Sequence, residues 1–371
     1  MPITERGARV PARAGSVLEI DLAAIVGNWR RLGLRLGGGA LCAAVVKADA
    51  YGLGMARVAP ALADAGCRLL FVATIDEGLA LRRLLPTVEI AVLNGLLPGT
   101  AGDFRRARLV PVLNSLGEIA AWRERAQTRA LPAMIHVDTG MRRLGLPPDE
   151  LDRLAAEPRR LDGLSLRAVV SHLACADQPA HPMNAEQLAA FGAARARLPP
   201  APASLAASSG IFLDPAYHGD IARPGAALYG VNPQPSHPNP MSQVIKLKGR
   251  ILQVRDVDTG EGVGYGAAHR LSRPSRIATI AVGYADGWLR SSSNRGSVGI
   301  AGQRAPVVGR ISMDLTTIDV TGIDAARPGA MVDLLDAGYG VDDAAASAGT
   351  IGYEVLTAIG RRALRLYREP A

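Results

Sequence analysis

Short apolar runs alternate with helix-like stretches between about residues 41 and 230. The helix-like stretches carry apolar residues three or four positions apart, a spacing typical of helices that pack by one face; they cover residues 54–65, 76–84, 115–126 and 184–197. Apolar runs bounded by Gly, Asn or Asp predict buried strands at Leu41–Val46, Leu69–Ala73, Ile90–Leu93, Leu109–Leu113, Ala133–Val137, Leu166–Val170, Ser204–Ala207 and Ala226–Tyr229. Eight strands separated by helices predict an α/β fold, a (β/α)8 TIM-type barrel. The alternative is an open doubly wound sheet, but no GxGxxG motif follows a strand.

The pattern changes after residues 232–240, which contain four prolines and predict a boundary loop. Alternating apolar positions then predict a mostly β second domain, with strands in Val244–Val257, Ile277–Val282, Val298–Val308, Leu315–Val320 and Met331–Leu335. The chain ends in a helical stretch, roughly Gly352–Arg362, and then Ala363–Tyr367. We expect a polar tail over residues 1–15, a barrel over 16–240 and a β-rich domain over 241–371. Within the barrel segment, Leu18–Ile20 predicts a strand that runs into a helix capped by Asp21.

Composition excludes several classes of protein. The 371 residues are 48% hydrophobic, so a large core is possible, and the net charge of +8 is spread thinly along the chain. With only 4% aromatic residues the chain lacks a base-stacking surface for nucleic acid. No secretory signal and no apolar run of ~18 residues is present. The three cysteines show no metal-binding spacing, and their low, odd number favours a reducing compartment. We therefore expect a cytoplasmic protein without a metal.

Polar residues follow the predicted barrel strands, where the catalytic groups of such barrels lie. These residues are Lys47, Asp138, Arg143, His172, Ser208 and Arg223. Lys47 is one of only three lysines among 42 basic residues, and it would emerge from an apolar strand. Desolvation lowers the pKa of a lysine and makes its neutral amine available to an aldehyde.

The loops after the last two predicted strands offer groups that suit a phosphate. Ser208 supplies a hydroxyl and Gly225 an accessible backbone amide, and barrels commonly bind phosphate at these two loops. An aldehyde-reactive lysine and a phosphate cradle on one face fit pyridoxal 5'-phosphate.

Several segments, in order along the chain, together resemble the alanine racemase family. They are residues 44–54 (AVVKADAYGLG), 136–145 (HVDTGMRRLG), 171–173 (SHL), 223–230 (RPGAALYG), 264–266 (GYG), 283–287 (GYADG) and 309–314 (GRISMD). The similarity runs from about Leu18 to Tyr367.

The resemblance implies a pyridoxal-phosphate-dependent isomerase that interconverts L- and D-alanine for peptidoglycan synthesis or D-alanine breakdown. It implies a head-to-tail homodimer with active sites at the interface. Lys47 would hold the cofactor and act as the base on one face, and Tyr265 of the neighbouring subunit would be the base on the other. Arg223 would donate to the pyridine nitrogen.

The resemblance also implies roles for the residues around these three. His172 would support Arg223. The cofactor phosphate would be held by Tyr51, Ser208, Gly225, Ala226 and Tyr353. Arg143, with Met313 and Tyr284 of the neighbouring chain, would hold the substrate carboxylate, while His136 and Asp314 would support the site. Alanine is the expected substrate and serine a second one.

Two positions depart from the family pattern. Many members carry a carbamylated lysine where this chain has His136, so His136 itself, or an anion beside Arg143, is expected to steady that arginine. Ala207 stands where an asparagine is usual, which leaves the phosphate contact of Ser208 in place.

Three alternatives remain open from the sequence. A non-catalytic carrier of pyridoxal phosphate resembles the barrel alone and would not need the C-terminal residues with Tyr265. A barrel-type amino-acid decarboxylase needs an acidic partner for the pyridine nitrogen, where this chain offers Arg223. A broad-specificity racemase is the third, but such proteins resemble periplasmic proteins with signals.

Overall fold

The computed structural model describes residues 11–36, 39–126 and 130–369. These residues form two compact units: one contains residues 25–242, and the other joins residues 11–24 to residues 243–369. The chain begins with strand β1, Ser16–Asp21, followed by helix α1, Leu22–Leu36. Asp21 caps this helix, because its carboxylate accepts from the amide of Ala24 at 2.9 Å.

Parallel strands form the core of the first unit. The strands are β2 Leu41–Cys42, β3 Ala44–Val45, β4 Leu69–Val72, β5 Glu89–Val92, β6 Val110–Leu113, β7 Leu131–His136, β8 Leu164–Val170, β9 Ala203–Ser204 and β10 Ile221–Ala222. Strands β3 to β9 pair in sequence order. The circle closes because β10 pairs with β2 and Arg223 bridges to Ala207, both in parallel. The predicted (β/α)8 barrel is confirmed.

Helices follow most of these strands, as expected of βα units. They are α2 Lys47–Tyr51, α3 Met55–Asp64, α4 Ile75–Leu84, α5 Ala101–Ala107, α6 Leu116–Arg123, α7 Pro148–Ala156 and α8 Met183–Ala196. Side-chain caps mark the beginning of two of these helices. The Thr74 hydroxyl accepts from the amide of Glu77 at the start of α4, and the Ser115 hydroxyl accepts from the amide of Glu118 at the start of α6. The helix-like stretches of the sequence thus appear within one residue of their predicted bounds, except that α6 ends three residues early, at Arg123.

The eighth predicted strand is wrong. Residues Ala226–Tyr229 form a 3₁₀ helix, and the strand lies earlier, at Ile221–Ala222. Both segments are buried apolar runs, so hydrophobicity alone does not distinguish them. The intervening Pro224-Gly225 ends the strand, since proline cannot continue the hydrogen-bond ladder.

The second unit is mostly β, as predicted. Its strands are β1, β11 Ile245–Val257, β12 Gly262–Val263, β13 His269–Arg270, β14 Ser275–Ile280, β15 Ser297–Ile300, β16 Gln303–Pro306, β17 Thr316–Asp319, β18 Met331–Leu335 and β19 Leu364–Arg368. The helices are α9 Val341–Ala348, which the sequence pattern did not indicate, and α10 Gly352–Ala358. The predicted helical stretch ends early, at Ala358, and the last apolar segment is the strand β19.

The N-terminal strand differs from the predicted domain boundary. Strand β1 pairs antiparallel with β11 and parallel with β19, so residues 16–24 belong to the β-rich unit rather than to the barrel. The sequence pattern missed this because β1 pairs with strands that lie more than 200 residues later in the chain. Within the described ranges, no helix is long and apolar enough to cross a membrane.

Substitution of the buried Trp122 tests the packing of the barrel unit. Its side chain is 1% exposed, its indole donates to the carbonyl of Pro132 at 3.1 Å, and its ring lies 6.1 Å from that of Phe104. We expect Trp122→Ala to lower the free energy of unfolding by about 3–5 kcal/mol because it leaves a cavity and removes the hydrogen bond of the indole. Denaturant titration measures this. Leu34→Ala is the control, since Leu34 is 86% exposed; an equal loss for both variants would contradict the packing argument.

Candidate active site

Lys47 lies two residues after the end of strand β3 and is half-buried. Burial lowers the pKa of its amine, the nearby cation of Arg143 lowers it further, and the carboxylate of Glu77 opposes both effects. The direction matches the sequence prediction, because a desolvated amine is more easily neutral and nucleophilic.

The residues after Lys47 form a left-handed helical turn. Ala48, Asp49, Ala50 and Tyr51 have φ of 54°, 54°, 56° and 54°, a conformation that costs roughly 1–2 kcal/mol per non-glycine residue. The turn is closed by hydrogen bonds from the amide of Gly52 to the carbonyl of Ala48 at 2.7 Å and from Gly54 to Asp49 at 2.8 Å. The Asp49 carboxylate also accepts from the amide of Met55 at 2.7 Å. This turn carries Tyr51 to the buried side of the segment.

A cradle forms where Tyr51 meets the loops after the last two strands. The Ser208 hydroxyl accepts from the amides of Gly225 and Ala227 at 3.0 and 3.2 Å. A Cβ added to Gly225 would lie 2.3 Å from the Tyr51 phenol oxygen, so only glycine allows this approach. The Tyr51 ring lies 4.7 Å from the ring of Tyr229. Hydroxyls and backbone amides gathered at a glycine suit a phosphate, and the residues therefore fit the group that the sequence implies.

Arg223 is a buried cation at the same end of the barrel. It is 4% exposed, and its guanidinium donates to the Ser204 hydroxyl and to the carbonyl of Ser171. Burial lowers its pKa to about 10, which still leaves it protonated at neutral pH. Strands β8 and β9 thus hold a fixed donor that cannot accept a proton.

Two histidines near these cations stay neutral. Burial lowers the pKa of His172 to about 3, and the nearby Arg223, Arg143 and Lys47 lower it further. Burial also lowers the pKa of His136 to about 4, with Arg223 adding to the effect. Nδ1 of His136 lies 2.8 Å from Oδ1 of Asn114. Because the Asn114 amide nitrogen donates to the carbonyl of Val112 at 2.8 Å, its oxygen must accept, and Nδ1 of His136 carries the proton.

Arg143 lies on the loop that follows β7 and is exposed. The carboxylate of Asp138 accepts from the amides of Gly140 and Arg142 at 2.9 and 3.1 Å, so Asp138 shapes the turn. Arg143 lowers the pKa of Lys47, His136 and His172, which places its charge near all three. Three cations therefore converge on one site, and a ligand with separate phosphate and carboxylate groups would complement them.

The remaining predicted residues lie in the second unit. Tyr265 is 70% exposed in the 3₁₀ helix Tyr265–Ala267, between two glycines with positive φ. Tyr284 and Met313 lie on neighbouring loops, because the amides of Tyr284 and Ala285 donate to the carbonyls of Ser312 and Met313 at 3.0 Å each. Asp314 pairs with Arg362 at 2.7 Å, and Tyr353 is partly exposed in α10.

The structure thus brings part of the predicted set together in the barrel and places the rest in the other unit. The barrel members are Lys47, Tyr51, His136, Arg143, His172, Ser208, Arg223, Gly225 and Ala226. The β-rich unit carries Tyr265, Tyr284, Met313, Asp314 and Tyr353. Among the described residues, no group of three His, Cys, Asp or Glu side chains could hold a metal ion.

Sequence reasoning missed two residues that contact this site. Asn114 fixes His136, and Glu77 contacts the amide of Ala48 beside Lys47. The pattern Thr74-x-x-Glu77 before an apolar run is a capping-box signature, which would have singled out Glu77 as a helix cap but not as a neighbour of Lys47. Asn114 follows β6, and no local sequence motif indicates its contact with His136.

Comparison with known proteins shows the family and the fold of this chain. Sequence models of the families "Alanine racemase, N-terminal domain" and "Alanine racemase, C-terminal domain" match residues 20–233 and 244–367. The chain belongs to the alanine racemase family. It is 53% identical over 360 residues to an alanine racemase of Rhodospirillum rubrum, covering 96% of each chain. It is 50% identical to a catabolic alanine racemase of Mesorhizobium japonicum, covering 96% of this chain and 94% of the relative.

Solved structures of the family agree in fold. An alanine racemase from Bartonella henselae with covalently bound pyridoxal phosphate is 42% identical, with a TM-score of 0.92 over 96% of this chain and 100% of that one. A biosynthetic alanine racemase from Pseudomonas aeruginosa is 34% identical, with a TM-score of 0.89 over 96% of this chain and 99% of that one. Family membership and the fold of a barrel followed by a β-rich domain are therefore confirmed.

The neutral histidines make stability depend on pH. The pKa of His136 falls from 6.5 to about 4 on folding, so the unfolded chain binds more protons in this interval. The contribution is fully present above about pH 6.5 and is lost as the pH falls towards 4. We expect His136→Gln to make the decline of the thermal midpoint between pH 7 and pH 5 shallower than in the wild type. Calorimetry at several pH values measures this, and parallel declines would contradict a neutral buried His136.

Proposed function

We propose that this chain is an alanine racemase that interconverts L- and D-alanine with pyridoxal phosphate, using Lys47 and Tyr265 as the two bases. The observation that carries the proposal is the convergence of a half-buried lysine of lowered pKa with two arginines and the Ser208–Gly225–Tyr51 cradle. When bound, the cofactor supplies an electron sink for the carbanion at the substrate Cα. The relative from Bartonella henselae holds this cofactor covalently.

The barrel residues have distinct tasks in this proposal. Lys47 holds the cofactor and exchanges a proton on one face of Cα. Tyr51, Ser208, Gly225 and Ala226 hold the phosphate.

Arg223 and Arg143 bind the two ends of the cofactor–substrate pair. Arg223, steadied by His172, donates to the pyridine nitrogen and cannot take up its proton. Arg223 would thereby keep the ring nitrogen neutral and moderate the electron withdrawal that the cofactor supplies, which would limit side reactions such as transamination. Arg143, steadied by His136, binds the substrate carboxylate through the two-pronged geometry of its guanidinium.

Racemisation requires a second proton donor and acceptor on the opposite face of Cα. Two bases on opposite faces remove one proton and return another without turning the substrate. Tyr265, Tyr284 and Met313 are 70%, 42% and 54% exposed in the β-rich unit, and large exposed side chains of this kind are typical of surfaces that bind another protein. We infer that a second copy of the chain covers them in a head-to-tail homodimer, so that Tyr265 of one subunit serves the Lys47 of the other.

The same proposal includes substrate size and location. Tyr284 and Tyr353 narrow the entrance, which favours alanine and admits serine. The described cysteines, Cys42, Cys67 and Cys175, are unpaired, as expected in the reducing cytoplasm. The relatives include both a catabolic and a biosynthetic racemase, so the family contains enzymes that serve either metabolic direction.

Substitutions of the two bases are expected to differ in their effect on the cofactor absorbance band. We expect the purified protein to absorb near ~420 nm when Lys47 holds the cofactor, and Lys47→Ala to lose both this band and racemase activity. Tyr265→Phe should keep the band and lower kcat by about 10²–10⁴-fold, because only proton transfer is removed. Absorbance and circular dichroism with L-alanine measure the two properties. The control is Tyr339→Phe, a tyrosine of the same unit whose hydroxyl pairs with Ser347 outside the site. Full activity of Tyr265→Phe would refute the second base.

A further inference from the structure

Glu77 joins the ends of two neighbouring barrel strands beside Lys47. Its Oε1 accepts from the amide of Ala48 at 2.6 Å. Its Oε2 accepts from the amides of Ala73 and Thr74 at 2.8 and 3.2 Å. Ala48 follows β3 and Ala73 follows β4, so one carboxylate spans both strand ends.

Only part of this arrangement is needed to start a helix. The backbone amide of Thr74 donates to the Glu77 carboxylate, and the backbone amide of Glu77 donates to the Thr74 hydroxyl at 3.3 Å. These two bonds form the capping box of α4. The bond to Ala48 does nothing for α4, since Ala48 belongs to another segment. It is also the shortest of the three, and hydrogen bonds to an ionised acceptor are roughly twice as strong as neutral ones.

Ala48 is the first residue of the left-handed turn. Four successive non-glycine residues with positive φ need tertiary contacts to hold them, because their intrinsic preference is right-handed. The bond to Glu77 fixes the start of the turn at Ala48, and the bond from Met55 to Asp49 ties the turn to the first residue of α3. The Lys47 backbone lies between the β3 ladder and the Glu77 anchor.

We propose that Glu77 is a positioning residue that holds the left-handed turn and thereby aims the Lys47 amine and the Tyr51 phenol at the site. The role rests on the proposed racemase function as far as Lys47 is concerned. The clamp on the turn is a property of the fold alone, and the two parts are tested separately below.

Hydrogen exchange tests the clamp directly on the full-length holoenzyme. In Glu77→Gln only one oxygen remains to accept, and the amide NH2 group faces a backbone donor. We expect the amide of Ala48 to exchange about 10- to 100-fold faster than in the wild type, as for the loss of a bond to a charged acceptor. Glu77→Asp retains the charge but is one methylene shorter, so it should also release the Ala48 amide if reach matters.

Steady-state kinetics on the same samples tests the consequence for Lys47. A misplaced base slows proton transfer more than it weakens binding, so both Glu77 variants should lower kcat for alanine by up to about 100-fold and change KM by less than about threefold. Thr74→Ala is the matched control, because it weakens the cap of α4 without touching the bond to Ala48. It should lower the thermal midpoint while leaving kcat and the Ala48 exchange rate unchanged. Asp76→Asn, on an exposed neighbour of the same helix, controls for charge.

Each outcome has a defined meaning. Unchanged exchange at Ala48 in both Glu77 variants would overturn the clamp, and so would equal acceleration in Thr74→Ala. Faster exchange with unaltered kcat would overturn the positioning role while leaving the clamp in place. A wild-type protein that does not racemise alanine would refute the proposed function instead, and the exchange result would still decide whether Glu77 holds the turn.

Discussion

The site depends on keeping positive charge where water is scarce. Arg223 is buried among strand ends, Lys47 is half-buried, and Arg143 lies close enough to lower the pKa of both histidines. Such a concentration of cations is tolerated because His136 and His172 remain neutral and because backbone carbonyls and hydroxyls accept from the Arg223 guanidinium. An anionic ligand relieves the remaining repulsion. The electrostatics that select a phosphate and a carboxylate also keep the Lys47 amine ready to react.

The backbone conformation after Lys47 also serves the placement of Lys47 and Tyr51 in the site. A right-handed helix after β3 would continue the chain in the ordinary βα manner, whereas the left-handed turn brings Tyr51 against Gly225 and leaves Lys47 at the mouth. The unfavourable conformation is offset by bonds from three directions: the carboxylates of Glu77 and Asp49 and the amides within the turn. Strain of this kind is concentrated at functional sites because surrounding structure must hold it.

The sequence predicts the parts of this molecule that depend on local pattern. Buried strands such as Leu69–Val72 and Val110–Leu113 are continuous apolar runs, so the barrel follows from composition and spacing. The eighth strand was misplaced because two apolar segments flank Pro224-Gly225, and only the hydrogen-bond ladder decides between them. The left-handed turn could not be predicted from the sequence, because Ala48-Asp49-Ala50-Tyr51 contains no glycine that would indicate a positive φ. The clamp by Glu77 and the bond from His136 to Asn114 join residues more than twenty positions apart, beyond the reach of any local motif.

The central claim is that Lys47 of one subunit and Tyr265 of another act on the same substrate carbon. Refolding or subunit exchange between inactive Lys47→Ala and Tyr265→Phe chains tests it most directly. In a mixed head-to-tail dimer, one site carries both substitutions and the other carries neither. An equimolar mixture should therefore regain about a quarter of wild-type activity. If each site were built from a single chain, every site would keep one substitution, and no recovery in a verified mixed dimer would contradict the account.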